Sequence, residues 1–387
     1  MLDLYFGNAV TGPQRFARPD VERRLMTKLS QGGGVRMFGL RRIGKSTLRA
    51  YAIEQLEAAG RTVAYFDGQG LHSLGDLLSR LFQAMPRKKS FGDRVAGALA
   101  AGPIRVAVEA IATGGEFDHA AIPAYWQLLS EAIRKSLAED GASPVLVIDE
   151  FTYIVSNMIK RGQAAEVDRL LASMREWRDG GMTMLLTGSI GLTSLARRHG
   201  INLEHVNDLQ PFDVPEMSEE EARAFIAAAT IAPPQGTWTE AHTDELIRQV
   251  GAFYPCFLVC GLQEIGAANP PAPAAFDAIF EEHVRPDLHN EFLRQFDRRF
   301  DEYRELPDNE REALILPALT AILDARAPCA HQAIPCPAPF TQIRLGNALG
   351  MLVEDGFIRF SQQRDGTRLW RPASSLARIW WAGRRWA

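Results

Sequence analysis

Cysteine is scarce in this sequence, and long uninterrupted hydrophobic runs are missing from it. Four cysteines in 387 residues are too few for a disulfide framework. Cys256 and Cys260 lie at helical spacing in an apolar segment, which indicates reduced core thiols. The longest tract of small apolar residues, 95–115, is broken by a proline and two charged residues, so it falls short of a membrane span. Because the first residues also lack the pattern of a secretory signal, we expect a cytoplasmic protein without a membrane partner.

Lysine is also rare, and arginine carries nearly all of the positive charge. Of 43 basic residues only six are lysines, and none follows Lys160. The formal net charge of -4 argues against a protein that coats nucleic acid over its whole surface. An apolar content of 46% and a charged content of 23% are typical of globular domains, and the length suffices for two or three of them.

The first half of the chain alternates between two kinds of segment. Short apolar runs at 35–40, 62–67, 144–151 and 182–188 are separated by amphipathic segments of helix length. This alternation predicts an α/β domain over residues 1–211, with a parallel sheet and helices on both of its faces. In such sheets ligands bind at the carboxyl ends of the strands.

The pattern changes near residue 212, where helical segments joined by proline and glycine begin. We expect a small all-helical domain over 212–290, whose first helix starts after a capping Ser218 with an acidic first turn. The segment 305–387 is predicted to contain two helices and then two strand-like runs around Asp365-Gly366. An Asp-Gly pair in this position predicts a β-hairpin, and the order of elements is that of a winged helix.

The stretch GLRRIGKST (39–47) is the clearest chemical signal in the sequence. It fits the pattern G-x-x-x-x-G-K-[ST] and lies between a predicted strand and a predicted helix, as a phosphate-binding loop requires. Gly39 and Gly44 allow main-chain amides to surround phosphate oxygens, and the helix amino terminus adds partial positive charge. In this reading Lys45 contacts the β- and γ-phosphates and Ser46 binds Mg²⁺. The alternative is a glycine-rich turn with an incidental lysine.

Two later strands end in polar residues that complete such a site. Asp149 ends an apolar run as the expected partner of Mg²⁺, and Glu150 is placed to polarise an attacking water. Thr187 and Ser189 follow the next run, and either hydroxyl can hydrogen-bond the γ-phosphate or the water, with Ser189 preferred. Together with Lys45 these residues form the predicted catalytic set. The alternative is that they only cap strands and turns.

The motifs GLRRIGKSTL, VIDEF and LLTGSIG, in this order, resemble the archaeal-type ATPases of the STAND branch of AAA+-like P-loop NTPases. These ATPases are relatives of the origin-recognition ATPases, and the segment 15–29 is similar to the one that runs beside the adenine in this family. The resemblance implies an ATPase that uses ATP and Mg²⁺, with a helical lid and a carboxyl-terminal winged helix. It implies that Phe16 and Arg18 lie near the base, that Pro255 is the lid proline at the nucleotide, and that Ser189 is the sensor. The residues it implies around the phosphates are Gly39, Arg41, Arg42, Ile43, Gly44, Lys45, Ser46 and Thr47.

The resemblance also draws attention to a missing arginine finger. Oligomeric relatives carry an arginine just before the last core strand, where this chain reads INLEHVNDLQPF (201–212), and Arg197 and Arg198 lie a few residues earlier. Since such an arginine is worth about 10³ to 10⁵ in rate, we expect a slow ATPase that acts as a switch. The alternatives are an oligomeric DNA-loading or transposition-helper ATPase, and a binding module in which the nucleotide is structural.

The carboxyl-terminal residues 340–387 are strongly basic, with eight arginines against three acidic residues. This composition suits contact with the phosphates of double-stranded DNA. The recognition helix offers only Gln342, Arg344 and Asn347 as base readers. Three alternatives to DNA binding therefore stay open for this unit, namely docking of an effector protein, binding of a second copy of the chain, and packing within its own chain. The chain ends with Trp380, Trp381 and Trp386, which either form a protein interface or are buried in their own domain.

Overall fold

The computed structural model describes residues 10–85, 88–113, 115, 117–139, 144–189, 192, 195–196, 199–230, 238–266 and 269–384. Their contacts divide the chain into two compact units. We call one the sheet unit, which consists of Pro19–Phe38 and Leu48–Asp213. We call the other the C-terminal unit, which consists of the residues up to Arg18, Gly39–Thr47, and the residues from Val214 onward.

The sheet unit contains a parallel sheet, as the sequence predicts, and the sheet has a fifth strand beyond the four apolar runs of the sequence. Its strands are β1 (Gly34–Phe38), β2 (Val63–Asp67), β3 (Val145–Asp149), β4 (Thr183–Gly188) and β5 (Gln210–Pro211). They are arranged in the order β2-β3-β4-β1-β5, and every neighbouring pair is parallel. All residues of β4 and the first four of β3 are buried, because helices cover both faces of the sheet. The fold is therefore an α/β fold with helices on both faces of a parallel sheet, as expected.

Eight helices of the described residues precede or separate these strands. They are α1 (Pro19–Ser30), α2 (Lys45–Ala58), α3 (Leu74–Ala84), α4 (Lys88–Gly97), α5 (Pro103–Thr113), α6 (Ile122–Glu139), α7 (Phe151–Lys160) and α8 (Ala164–Asp179). The small apolar tract 95–115 forms the end of α4 and the whole of α5. Its Val95, Val108 and Ile111 are buried in the core of the unit, so this tract belongs to the fold of the sheet unit.

The C-terminal unit is mostly helical over its first part. Its helices are α9 (Glu219–Thr230), α10 (Glu240–Val250), α11 (Pro255–Ile265), α12 (residues 276–302, with two π-helical segments) and α13 (residues 311–323). Ser218 caps α9 as predicted, since its hydroxyl accepts a hydrogen bond from the Glu221 amide at 3.1 Å. Helix α12 continues past residue 290 to Glu302. The boundaries of the lid and winged-helix domains stay a prediction.

A small antiparallel sheet follows in the same unit. It consists of β6 (Cys329–Ala330), β7 (Ile358–Gln362) and β8 (Arg368–Pro372) in the order β6-β8-β7, with helices α14 (Gln342–Glu354) and α15 (Ser375–Arg384). The predicted hairpin at Asp365-Gly366 is confirmed, because β7 and β8 pair across this turn.

The tryptophans near the end of the chain are buried within their own unit. Trp380 is 2% exposed and Trp381 7% exposed, and their indole N–H groups donate to Asp297 and Asp324, each at 2.8 Å. This burial favours packing within the unit over a protein interface. Trp386 lies outside the described residues.

The cysteines are free thiols, as predicted. Burial raises the pKa of Cys260 to about 11, and the charges of Asp287 and Glu264 act in the same direction. None of the helices in the described parts of the chain combines the length and the apolar character that crossing a membrane requires.

Candidate functional site

The loop between β1 and α2 has the conformation that its glycines permit. Gly44 has a φ of 102°, a left-handed value that costs a glycine little. Arg42 has a φ of 65°, which is unfavourable for a residue with a Cβ. Leu40 and Ile43 are buried, whereas Arg41 and Arg42 are exposed. Apolar side chains therefore anchor the loop, and its arginines face solvent.

Lys45 lies inside the loop that it follows. Its side chain is almost completely enclosed, since the residue is 7% exposed, and its ammonium group donates to the carbonyl oxygens of Gly39 at 2.9 Å and Leu40 at 2.6 Å. Ser46 is exposed and Thr47 is half-buried in the first turn of α2. The first amides of a helix lack partners within it, so this turn offers donors as well as the lysine charge to an anion.

Other residues of the C-terminal unit, to which the loop itself belongs, support the loop. The Arg41 amide donates to the Gln295 side chain at 2.8 Å, and the Arg42 guanidinium lies 5.7 Å from the centre of the Phe292 ring. A Cβ added at Gly356 would lie 3.7 Å from Leu40 Cγ, so this glycine packs next to the loop. The sequence motif gives no sign of these contacts.

Phe16 and Arg18 both lie against the start of α9. The Phe16 ring meets Phe225 edge-on, with 5.3 Å between the ring centres. The Arg18 guanidinium is paired with Glu221 through two hydrogen bonds of 3.1 and 3.0 Å and also donates to the Pro215 carbonyl at 2.8 Å. Burial raises the pKa of Glu221, but the hydrogen bonds from Arg18 and Ser218 and the Arg18 charge outweigh it, so the pKa lies below its usual value. Contact of Phe16 and Arg18 with a base stays a prediction.

Pro255 begins α11 and is half-buried. The loop before it is tied to Glu216, because the Phe253 amide donates to Glu216 Oε1 at 2.8 Å. The other oxygen of the same carboxylate accepts from the amide and the hydroxyl of Ser375, at 3.1 and 3.0 Å. Glu216 therefore joins the loop before Pro255 to the start of α15.

Four predicted catalytic or metal-binding residues meet in the sheet unit, and we call them the strand-end cluster: Asp149, Glu150, Thr187 and Ser189. They come together because β3 and β4 are adjacent parallel strands. The Thr187 hydroxyl donates to Asp149 Oδ1, which also accepts from the Glu150 amide at 3.1 Å. Glu150 Oε2 accepts from the amide and the hydroxyl of Ser189, at 3.2 and 3.0 Å. Each predicted acid is thus held by a hydroxyl residue from β4 or its end.

Two backbone features fix the position of this cluster. Glu150 is in the left-handed region, with φ 48° and ψ 37°, which costs a non-glycine residue of the order of 1–2 kcal/mol. A Cβ added at Gly188 would lie 2.5 Å from the Thr152 hydroxyl oxygen, so only glycine allows β4 to end so close to α7. Backbone strain of this kind is frequent at functional sites.

Arg49 is part of the cluster's surroundings and was missed in the sequence. It lies on α2, one turn after Lys45, and forms an ion pair with Asp149. Its guanidinium also lies 4.6 Å from the centre of the Tyr65 ring, and the residue is 9% exposed. The spacing of four residues from Lys45 was the available signal, because it places both residues on the same side of α2.

The side chains of the site suit Mg²⁺ in their chemistry. The carboxylate of Asp149 and the hydroxyl of Thr187 are hard oxygen donors, which Mg²⁺ prefers, and nucleotide phosphates supply further ligands in such sites. The hydroxyl of Ser46, in the loop, is a donor of the same kind. The ion pair with Arg49 shows that the Asp149 carboxylate already accepts a cation. Among the described residues, no group of three or more His, Cys, Asp or Glu side chains forms a metal cage made of protein alone.

The region where relatives carry an arginine finger is held by arginines of α8. The Arg178 guanidinium forms two hydrogen bonds with the Asp208 carboxylate, at 2.6 and 2.7 Å, and donates to the His205 carbonyl at 2.7 Å. Arg197 and Arg198, which precede this stretch in the sequence, lie outside the described residues.

The basic end of the chain presents fewer base readers than its composition indicates. Arg344 is engaged by Glu310 at 3.0 Å and by Asp308 at 2.8 Å. Gln342 and Asn347 are exposed on α14. On the neighbouring hairpin, Arg359 lies directly opposite Arg371, and both residues are exposed.

Residues 29–195, which make up less than half of the chain, match the AAA domain family. The Walker-type ATPase of Pyrococcus abyssi is structurally similar, with 16% identity, a TM-score of 0.55, and coverage of 97% of this chain and 99% of that chain. The ORC2 protein of Aeropyrum pernix matches with 15% identity, a TM-score of 0.46, and coverage of 95% and 93%. None of the curated proteins compared with the sequence matches it significantly. At this identity the likeness to the Pyrococcus protein supports the fold.

Proposed function

We propose that this chain binds ATP with Mg²⁺ through the loop 39–47 and hydrolyses it slowly, as a switch that couples nucleotide state to DNA or to a partner protein. The observation that carries the proposal is the strand-end cluster, in which the acid expected to activate water is hydrogen-bonded to the expected sensor residue. The match of residues 29–195 to the AAA domain family and the likeness to a Walker-type ATPase support it.

The roles of the residues follow from their chemistry. Lys45 and the first amides of α2 bind the negative charge of the phosphates, and Ser46 and Asp149 are the residues that would hold Mg²⁺. Mg²⁺ supplies charge neutralisation at the phosphates. Glu150 accepts the proton of the attacking water, while Ser189 and Thr187 orient the water or the γ-phosphate. We further propose that Phe16, Arg18 and Pro255 contact the base.

Two features favour slow turnover. Glu150 Oε2 accepts two hydrogen bonds from Ser189, so the carboxylate must be released before it can act freely as a base. The stretch 201–212 contains no arginine, so transition-state charge lacks the stabilisation that a finger residue gives. A long-lived ATP state is what a switch of the STAND type requires.

The C-terminal unit offers a route from nucleotide to partner. The loop is hydrogen-bonded to α12 through the Arg41 amide and the Gln295 side chain. A change of the loop on nucleotide binding would therefore alter its contact with α12. We propose that 212–290 acts as the lid and 305–387 as a winged helix whose basic residues contact double-stranded DNA. An effector protein is the other candidate partner.

The binding step is tested with Lys45→Ala. We expect at least a 100-fold loss of affinity for ATP with Mg²⁺, because about 2.7 kcal/mol is a moderate value for a buried charge-assisted contact. Fluorescent ATP titrations measure it, with Lys160→Ala, an exposed lysine of α7, as the matched control. Equal affinities of the wild type and Lys45→Ala would contradict the proposal.

A second candidate function is an oligomeric ATPase that assembles on DNA. The basic composition of residues 340–387, with eight arginines against three acidic residues, favours it, because arginines bind the phosphate backbone of DNA. Mass photometry with ATP and a DNA duplex distinguishes the two. If the protein stays monomeric under these conditions, the oligomeric function is rejected and the proposed switch remains.

A further inference from the structure

Arg49 makes a contact that the proposed ATPase chemistry does not require. Both oxygens of the Asp149 carboxylate are occupied, since Oδ2 is paired with Arg49 and Oδ1 accepts hydrogen bonds from Thr187 and the Glu150 amide. The two donors on Oδ1 are sufficient to fix the orientation of the carboxylate. Arg49 therefore contributes a positive charge beside the Asp149 carboxylate and is not needed to orient it.

The position of Arg49 is costly for the fold. The residue is 9% exposed, and its Nε–H is buried without a hydrogen-bond acceptor among the described residues. Leaving a buried donor unpaired costs about 1–3 kcal/mol, and partly buried ion pairs contribute little net stability. The aromatic face of Tyr65 beneath the guanidinium offsets part of this cost. A stabilising role alone thus accounts poorly for the arrangement.

We propose that Arg49 competes with Mg²⁺ for the Asp149 carboxylate and thereby sets the Mg²⁺ concentration at which the protein binds nucleotide. This inference rests on the proposed function. Arg49 neutralises the carboxylate in the metal-free protein and has to give up the pair when Mg²⁺ arrives with the nucleotide. The ring of Tyr65 supports the guanidinium in its position beside Asp149. Arg49 is a positioning residue for the metal partner and does not touch the reacting atoms.

The test measures binding of a fluorescent ATP analogue at fixed concentration while MgCl₂ is titrated into metal-free buffer. For Arg49→Gln we expect the Mg²⁺ midpoint to fall about tenfold, the effect of removing one charge competitor from a partly buried site. Arg49→Lys keeps the charge, so its Mg²⁺ midpoint is expected to stay within about threefold of the wild-type value. Arg61→Gln is the matched control, because Arg61 contacts Thr183 at the amino-terminal edge of the same sheet, 3.2 Å away.

A second variant and a second readout keep the inference open to refutation. Tyr65→Leu changes no charge but removes the support for Arg49, so the Mg²⁺ midpoint is expected to fall as well, by less than in Arg49→Gln. Thermal unfolding of the nucleotide-free variants in EDTA shows whether each is folded. If Arg49→Gln is not folded, the Mg²⁺ midpoint of Tyr65→Leu decides the question.

The outcomes separate the two proposals. If the wild type binds nucleotide with Mg²⁺ but the Mg²⁺ midpoint of Arg49→Gln and Tyr65→Leu is unchanged or raised, the competition is overturned and the ATPase proposal is left intact. A wild type that binds no nucleotide at any Mg²⁺ concentration overturns both.

Discussion

Replacing Glu150 by glutamine tests the chemical step of the proposed ATPase directly. Glutamine has the same shape, and its side-chain oxygen can accept both hydrogen bonds that Ser189 now donates to Glu150. Since no buried partner is left unpaired, the free energy of unfolding is expected to change by no more than about 1 kcal/mol. The variant loses only the ability to accept a proton from water.

The size of the rate effect follows from this loss. A general base contributes about 10²- to 10⁴-fold in rate, and Glu150 belongs at the lower end because Ser189 restrains it. We expect hydrolysis to slow by about 10² to 10³, which corresponds to roughly 2.7 to 4 kcal/mol in the barrier. Affinity for ATP should stay within about threefold, because the proposed phosphate contacts come from other residues.

The assay is a single-turnover measurement with enzyme in excess over radiolabelled ATP, accompanied by a binding titration on the same preparation. Glu176→Gln, which neutralises an exposed carboxylate of α8, is the matched control and should behave as wild type. If Glu150→Gln hydrolyses bound ATP within threefold of the wild-type rate, Glu150 is not the base and the assignment fails.

Two further predictions concern stability. Asp208→Asn should lower the free energy of unfolding by about 2–4 kcal/mol, because it leaves the Arg178 charge, whose side chain is 1% exposed, without its partner. Burial raises the pKa of Asp208, but the Arg178 hydrogen bonds and charge have the larger effect and hold the pKa below its usual value. This pair therefore stabilises the fold above about pH 4 and loses its contribution as the pH falls through the folded pKa. In urea unfolding between about pH 3 and 7, the free energy of unfolding should therefore fall less steeply with acid in Asp208→Asn than in the wild type. Gly188→Ala should cost about 1–3 kcal/mol because its Cβ would meet Thr152, and a Thr152→Ala background should restore part of it. Additive losses in the double variant would show that this contact is not the cause.

The sequence was sufficient to predict elements defined by local patterns. Strands β3 and β4 are buried on both faces, so their central residues 146–148 and 184–186 had to be apolar. The hairpin at Asp365-Gly366 follows from turn chemistry, and the Ser218 cap follows from a side chain that satisfies a helix amide. The pairing of Asp149 with Thr187 could be expected once the two strands were placed as neighbours.

Features that depend on distant residues could not be predicted. The two residues of β5 are too few to form a pattern. Helix α5 consists largely of small apolar residues with interruptions, and α4 mixes charged residues with small ones, so neither helix shows a clear period. The ion pair of Arg49 with Asp149 and the hydrogen bond of the Arg41 amide to Gln295 join positions about 100 and 254 apart in the sequence. No local rule specifies such partners.

The support of the phosphate loop by α12 means that a complete motif is not a complete binding site. A fragment that ends at residue 213 keeps every residue of the motif and all five strands of the parallel sheet, yet it loses Gln295, Phe292 and Gly356, which now restrain the loop. Thermodynamic reciprocity then applies to the intact chain. Any ligand of the C-terminal unit that raises the affinity of the loop for its own ligand by some factor must itself be bound more tightly, by the same factor, when the loop is filled.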